Sequence, residues 1–293
     1  IGMLHETGNI HQSPDGSQLL VGTSIIDQTG TVVGQMPTLK GGPGWSDDSR
    51  QSCSMSTATG ATPTGNLEPA WLYTGPIGSA GHRVVQLGEF GGQSGPSVLA
   101  CSPSADRAVV VEDVIYYLRE VWVVRLSTGA VLYHHVYANG QVASSGLASH
   151  DGRYLAEQLI SSNGQGPVVF GDTQILRTSD GAVLARIPGQ AVALSWDGSR
   201  VVTIPAPQSA GPGEVRVVDW QRNQVLWRHP LTPQDQTGYG RVDVLARPNS
   251  ADMAIAVGRS MYNGTPDQFD GLWIVMPDGH AKQVVAGQLA PAF

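Results

Sequence analysis

Ser13-Pro14-Asp15-Gly16, followed at once by the apolar strand Leu19-Leu20-Val21, is the stretch whose reading decides the fold. An Asp-Gly pair accepts the positive φ that a tight hairpin needs, and the apolar residues after it favour an extended strand. The same pattern returns five more times. Its copies are Ser46-Asp47-Asp48-Ser49 before Cys53, Ser102-Pro103-Ser104-Ala105-Asp106 before Val109-Val110-Val111, and Ser149-His150-Asp151-Gly152 before Tyr154-Leu155. Ser195-Trp196-Asp197-Gly198 precedes Val201-Val202, and Pro248-Asn249-Ser250-Ala251-Asp252 precedes Ile255-Ala256-Val257. Each copy predicts a hairpin.

Working outward, most copies are followed by a second apolar strand, turn and apolar strand. The turns are Ser127-Thr128-Gly129, Ser179-Asp180-Gly181, Gln221-Arg222-Asn223 and Pro277-Asp278-Gly279, with a compact Thr29-Gly30 version in the first unit. The second unit is the least regular, with strands expected at 71–73 and 83–87. Two hairpins make four strands per unit. Successive turn aspartates lie 33 to 58 residues apart, which brackets the roughly 40–50 residues of a propeller blade. A lone four-stranded blade leaves both faces bare, and radial packing covers them. The expectation is therefore an all-β fold: one six-bladed β-propeller of four-stranded antiparallel blades over residues 1–293, with blades at 9–38, 43–90, 96–137, 143–188, 190–231 and 241–287. The tail 288–293 resembles 190–195, the opening of another blade, and is expected either to help close the ring or to begin a seventh blade.

Composition narrows the function classes. Apolar residues make up 41% of the chain and charged residues only 14%, enough apolar content for a core and too little charge for a disordered chain. The 37 glycines and 19 prolines fit many short strands and turns. A net charge of −7 without a basic run gives no footprint for a nucleic acid backbone. No stretch approaches the roughly 20 apolar residues that cross a bilayer, so no membrane insertion is expected within this segment. The chain opens on Ile1 without a signal pattern, which reads as a trimmed segment. Lys40 and Lys282 are the only lysines, a bias expected of a GC-rich coding sequence. Cys53 falls in the second strand of unit two and Cys101 at the end of the first strand of unit three. Neighbouring blades bring such positions together, so a disulfide and a pair of buried thiols are the two alternatives.

The Ser-Pro-Asp-Gly turn and the strand-turn-strand after it resemble TolB-type, WD-like propeller repeats over residues 9–287. That resemblance implies the fold, and binding more often than catalysis, since the group includes interaction modules, sensor ectodomains and enzyme-associated domains. Trp196-Asp197 sits in a first hairpin turn rather than at the end of a third strand. That placement departs from eukaryotic WD repeats and argues against a scaffold of that type.

In a propeller the two hairpin turns of each blade share one face, and the remaining connections share the other. Here the hairpin turns are short, while the second-to-third-strand connections at 56–69, 112–119, 161–171, 205–213 and 259–268 are long, as are the blade-to-blade segments 37–44, 88–96, 138–146 and 230–240. Binding residues concentrate on loops held by a rigid scaffold. The candidate ligand-binding residues on this face are Phe90, Tyr116, Tyr117, Tyr239, Tyr262 and Phe269, with Met261 beside them. Glu120, Asp172, Glu214 and Asp270 each lie nine residues before Gly129, Gly181, Asn223 and Gly279, and Glu68 holds a similar place. As a ring of oxygens they would suit Ca²⁺ or a basic ligand. As local acceptors each would tie off its own loop, the role that the repeat resemblance favours.

Motifs of catalysis are sparse. His5-Glu6 lacks the second histidine of a zinc helix, and His134-His135 points to opposite faces of a strand. His11, His82, His150, His229 and His280 are scattered, with no nucleophile in a strand-turn-helix setting and no phosphate-cradling glycine loop before a helix. Asn263-Gly264-Thr265 fits a glycosylation acceptor. The expected function is a non-enzymatic binding propeller without a cofactor, the ectodomain of an exported or surface-anchored bacterial protein. Its ligand would be a protein, peptide or glycan. The alternative is a metal-dependent hydrolase or lyase resembling gluconolactonase-type propellers, its ion held by the carboxylates above. A third option is a repeat domain that serves only assembly.

Overall fold

The computed structural model describes residues 10–21, 24–35, 44–57, 68–77, 79, 81–90, 96–114, 117–138, 141–142, 146–161, 169–205, 213–231, 240–248, 250–259 and 268–286. Among them are six four-stranded antiparallel sheets, each with its strands in chain order, the blades of an all-β six-bladed propeller. Blade 1 holds β1 (Ile10–Gln12), β2 (Gln18–Val21), β3 (Ser24–Asp27) and β4 (Val32–Gln35). Blade 2 holds β5 (Gly44–Trp45), β6 (Gln51–Thr57), β7 (Glu68–Pro76) and β8 (His82–Phe90). Blade 3 holds β9 (Pro96–Ser102), β10 (Arg107–Val114), β11 (Tyr117–Val124) and β12 (Val131–Val136). Blade 4 holds β13 (Leu147–Ala148), β14 (Tyr154–Ser161), β15 (Val169–Arg177) and β16 (Val183–Ile187). Blade 5 holds β17 (Gln190–Leu194), β18 (Arg200–Ile204), β19 (Glu214–Asp219) and β20 (Gln224–Pro230). Blade 6 holds β21 (Gly240–Ala246), β22 (Met253–Arg259), β23 (Gln268–Val275) and β24 (Ala281–Ala286).

The repeated first turn explains itself atom by atom. In blade 1 the Ser13 hydroxyl donates to Asp15 Oδ1 at 2.8 Å and accepts the Gln18 N–H at 2.9 Å, while Asp15 accepts the Ser17 N–H at 2.9 Å. Blade 5 repeats this with Ser195, Asp197, Arg200 and Ser199, and blade 2 with Ser46, Asp48, Gln51 and Arg50. The five repeat serines Ser13, Ser46, Ser102, Ser149 and Ser195 are all buried, and a buried hydroxyl must find partners. The fourth turn residue takes a positive φ, 72° at Gly16, 65° at Gly152 and 70° at Gly198. Ser49 fills that place in blade 2 at 58°.

Two copies depart from the pattern, each with a substitute. Blade 3 carries Ser104 where the aspartate would stand. Asp47 from blade 2 supplies the carboxylate instead, its Oδ2 accepting from Ser102 at 2.6 Å and from Ser104. The pair Asp47-Asp48 thus divides its labour between two turns. In blade 6 the serine position belongs to Arg247, whose N–H bonds the Asp252 carbonyl at 3.0 Å and whose guanidinium meets the Asp252 carboxylate at 2.9 Å.

By its contacts the chain divides into two compact units. Unit 1 comprises Ile1–Asn139, His150–Gly152 and Thr178–Gly181; unit 2 comprises Gly140–Ser149, Arg153–Arg177 and Ala182–Phe293. In unit 1, Cys53, Met55, Ala70 and Leu72 of blade 2 pack against Ala108, Val110, Trp122 and Val124 of blade 3. Cys53 and Cys101 form a buried disulfide across that seam. Beside it the Asp47 N–H donates to the Cys101 carbonyl at 3.0 Å. With its ends 48 positions apart in sequence, such a cross-link removes unfolded-chain entropy worth about 4 kcal/mol in the loop-closure model. In unit 2, Val202, Val215 and Val217 of blade 5 pack on Met253, Ile255 and Val257 of blade 6, and Ala156 and Ile175 of blade 4 pack on Leu194, Val201 and Trp220 of blade 5.

The irregular stretches of blade 2 are long strands. β7 and β8 span nine residues each and enclose the expected 71–73 and 83–87, but bulges opposite Ala70/Trp71 and Leu72/Tyr73, with Leu87 and Val84 as the extra residues, break the alternation of β8 that sequence reading relies on.

Gly198 and Gly30 test the turn geometry. Both have positive φ, 70° and 84°. A Cβ on Gly198 would stand 2.6 Å from the Tyr154 ring and 2.8 Å from Ser149 Cβ, whereas a Cβ on Gly30 meets nothing within 4 Å. Gly198→Ala is expected to cost about 2–4 kcal/mol through left-handed strain plus overpacking, and Gly30→Ala about 1 kcal/mol through strain alone. Urea unfolding of the two variants measures the difference.

Candidate functional site

Within each blade the first and third connections are turns at one end, and the second connection leaves from the other. Most of the long connections at that second end lie outside the described residues, and with them Tyr116, Tyr239, Met261, Tyr262 and the Asn263-Gly264-Thr265 acceptor. Phe90, Tyr117 and Phe269 fall at the ends of β8, β11 and β23, paired with Glu68, Val114 and Gly258. The described residues therefore place three of the six candidate ligand-binding residues, each in a different blade. One expected long loop is mostly ladder. Residues 112–114 pair with 117, 118 and 120, because the run Val114-Ile115-Tyr116-Tyr117-Leu118 favours strand and leaves only 115–116 between β10 and β11.

The carboxylate register is real as a strand position, and its members meet different surroundings. Glu120 lies in β11 opposite Glu112 and Val136, and its Oε2 pairs with His134 Nε2 on β12 at 3.0 Å. Glu214 opens β19, where it pairs with Arg216 of its own strand and with Arg228 of β20 at 3.8 Å. In both blades the acid thus meets a basic side chain on strand four, two places along the ladder from its direct opposite. Asp172 is exposed in β15, and Asp270 lies in β23 close enough to His229 to bias its protonation. Burial pushes the His229 pKa down, against the pull of Asp270. His229 stacks with Trp227 at 6.0 Å and meets Trp273 at 4.3 Å. Glu68 opens β7. Among the described residues no three His, Cys, Asp or Glu side chains form a group able to hold a metal ion.

His134 and His135 do point to opposite faces. His134 stacks on Trp122 at 5.2 Å, while His135 packs with Tyr133 and edge-on with Tyr137 at 4.5 Å. Sequence reasoning passed over several buried polar groups. Glu157 of β14 is buried and accepts from Gln174 of β15. Asp219, also buried, forms an ion pair with Arg200 at 3.1 Å and bonds Arg222. Acids within strand-like runs were the available signal for both.

A second cluster joins first turns within unit 1. Asp47 Oδ2 takes two serine hydroxyls, Asp47 Oδ1 is buried without a partner, and His150 of the segment His150–Gly152 lies within the field of Asp47 and Asp151. Burial dominates and lowers the His150 pKa to about 4, with the two carboxylates pulling it back upward. Because the folded value lies below the ordinary 6.5, the unfolded chain takes up the proton first on acidification. The contribution of His150 is therefore complete above about pH 6.5 and is lost as the pH falls toward 4, a change of about 3 kcal/mol. Chemical unfolding at stepped pH is expected to show this slope in the parent and a flattened one in His150→Gln.

The sequence matches no known family model and no curated protein. Solved structures share the fold. A eukaryotic initiation factor superposes over 98% of this chain and 67% of its own at a TM-score of 0.53 and 12% identity. Prolyl oligopeptidase B from Galerina marginata superposes over 97% of this chain at 0.53 and 13% identity, and this chain spans 42% of that protein's length. The β-propeller domain of the Trilobed protease from Pyrococcus furiosus superposes over 96% of this chain and 83% of its own, at 0.49 and 11% identity. At such identities the likeness concerns the β-propeller fold alone.

Proposed function

We propose that this chain is a binding propeller of the TolB-like kind, exported from a bacterial cell, which takes a protein, peptide or glycan on the edge that carries its long connections. The observation that carries this reading is the pairing of Glu120 with His134 and of Glu214 with Arg216 and Arg228. A carboxylate already hydrogen-bonded or ion-paired within its own blade has less to offer a central cation than the ring of free oxygens a metal-dependent lyase needs. The Cys53–Cys101 disulfide supports an extracytoplasmic location, where oxidising conditions maintain such bonds.

Melting of the full chain after dialysis against EDTA, with and without added Ca²⁺, separates this reading from the metal-dependent one. The binding reading expects a midpoint unchanged within about 1 °C, since nothing that binds only the native state has been removed. A fall of more than about 5 °C that Ca²⁺ restores would replace it with the enzymatic alternative. Peptide and glycan arrays probed with the same chain then identify the ligand class.

A further inference from the structure

Blade 2 carries an arrangement beyond the long-loop edge. Trp71 and Tyr73 stand two residues apart on β7, so their side chains share one face of the sheet, opposite the face that buries Ala70 and Leu72 against blade 3. Arg83 pairs with Tyr73 from β8. Its guanidinium carbon lies 4.8 Å from the Trp71 ring centre and 6.0 Å from that of Tyr73, and its Nε donates to the Tyr73 hydroxyl at 3.0 Å. Stacking and the Nε bond hold the guanidinium in one orientation. Its Nη1 and Nη2 have no hydrogen-bond or ion-pair partner among the described residues, and Arg83 is exposed.

Among the described residues, blade 1 does not cover this group. Its β2, β3 and β4 have four residues each against nine in β7 and β8. Its buried Leu20 and Ile25 pack on Trp45 and Ile77, and its Asp15 N–H bonds Ser49 at the turn end of blade 2. Trp71 and Tyr73 are left half-buried.

We propose that Arg83, Trp71 and Tyr73 form a docking surface for an acidic peptide of a partner protein. The guanidinium fork would clamp a partner carboxylate through two parallel N–H bonds, and the two rings would cover the apolar stem beside it. A fixed fork loses little entropy on binding. Trp, Tyr and Arg are also the residue types that dominate interface energetics. The aromatic wall favours a carboxylate borne on a peptide over a bare anion, which has no apolar surface to bury. Against a net charge of −7, an exposed guanidinium held by aromatic rings and without an acidic partner among the described residues offers an acidic segment complementary charge.

The test titrates a fluorescein-labelled peptide of alternating Glu and Leu, and its Gln-for-Glu counterpart, into the full chain at low salt. The Glu peptide is expected to bind and the Gln peptide to fail. Arg83→Gln should weaken binding about tenfold or more, Arg83→Lys should not restore it because the fork is lost, and Trp71→Leu should weaken it several-fold. Arg83→Gln should keep the parent melting temperature, since the side chain is exposed; should it not, Arg83→Lys, which retains the cation, gives the decisive comparison. Absence of Glu-peptide binding, equal binding of the Gln peptide, indifference to both Arg83 substitutions, or displacement by equimolar sulfate would each overturn the proposal. Failure here leaves the long-loop reading untouched, because the two surfaces share no residue.

Discussion

A buried serine hydroxyl that bonds a carboxylate and a backbone N–H at once is the interaction on which the first turns of blades 1, 2, 3 and 5 depend. It fixes the first turn, and the first turn fixes the register of strands one and two. A one-residue slip there would send every apolar side chain of the strand to the wrong face. Blade 3 shows the same carboxylate contact supplied from elsewhere. Where its own aspartate is missing, Asp47 reaches across from blade 2 to take the same hydroxyl. A local turn motif has thus become a tie between neighbouring blades, reinforced by the adjacent disulfide.

The same hydrogen bonds set the acid response of the turns. Burial alone would raise the pKa values of Asp15, Asp48 and Asp197, but bonds from serine hydroxyls and backbone N–H groups outweigh it and hold all three below the ordinary 3.8. What they contribute is present above that value and is lost only as the pH falls below it. His150 acts in a higher window, between 6.5 and about 4. Two kinds of group therefore weaken the fold in sequence on acidification, the histidine first.

Much of the fold was legible in the sequence because its signal is local. Asp-Gly turns, β-branched strands and their spacing gave the six blades, and the cysteine positions gave the disulfide as one of two alternatives. What escaped notice was non-local. Asp47 looked like half of a doubled acid until the structure placed it on the turn of another blade. In sequence the sixth copy opens at Pro248, whereas backbone pairing puts its serine position at Arg247. Bulges at Val84 and Leu87 hid the length of β8 by shifting its alternation. The candidate site was legible only as strand positions. Sequence spacing aligned the four carboxylates but gave no warning that strand-four bases, His134 and Arg228, stand beside two of them.

The division between blade ends follows from these ties. One end of each blade is closed by short turns, and the binding proposed above uses the opposite end and an exposed sheet face. A double-mutant cycle on Ser195→Ala and Asp197→Ala, read by urea unfolding, tests the underlying claim most directly. If the hydroxyl-carboxylate bond holds the turn, the pair will show a coupling of about 1–2 kcal/mol. Additive losses, with no coupling, would contradict it.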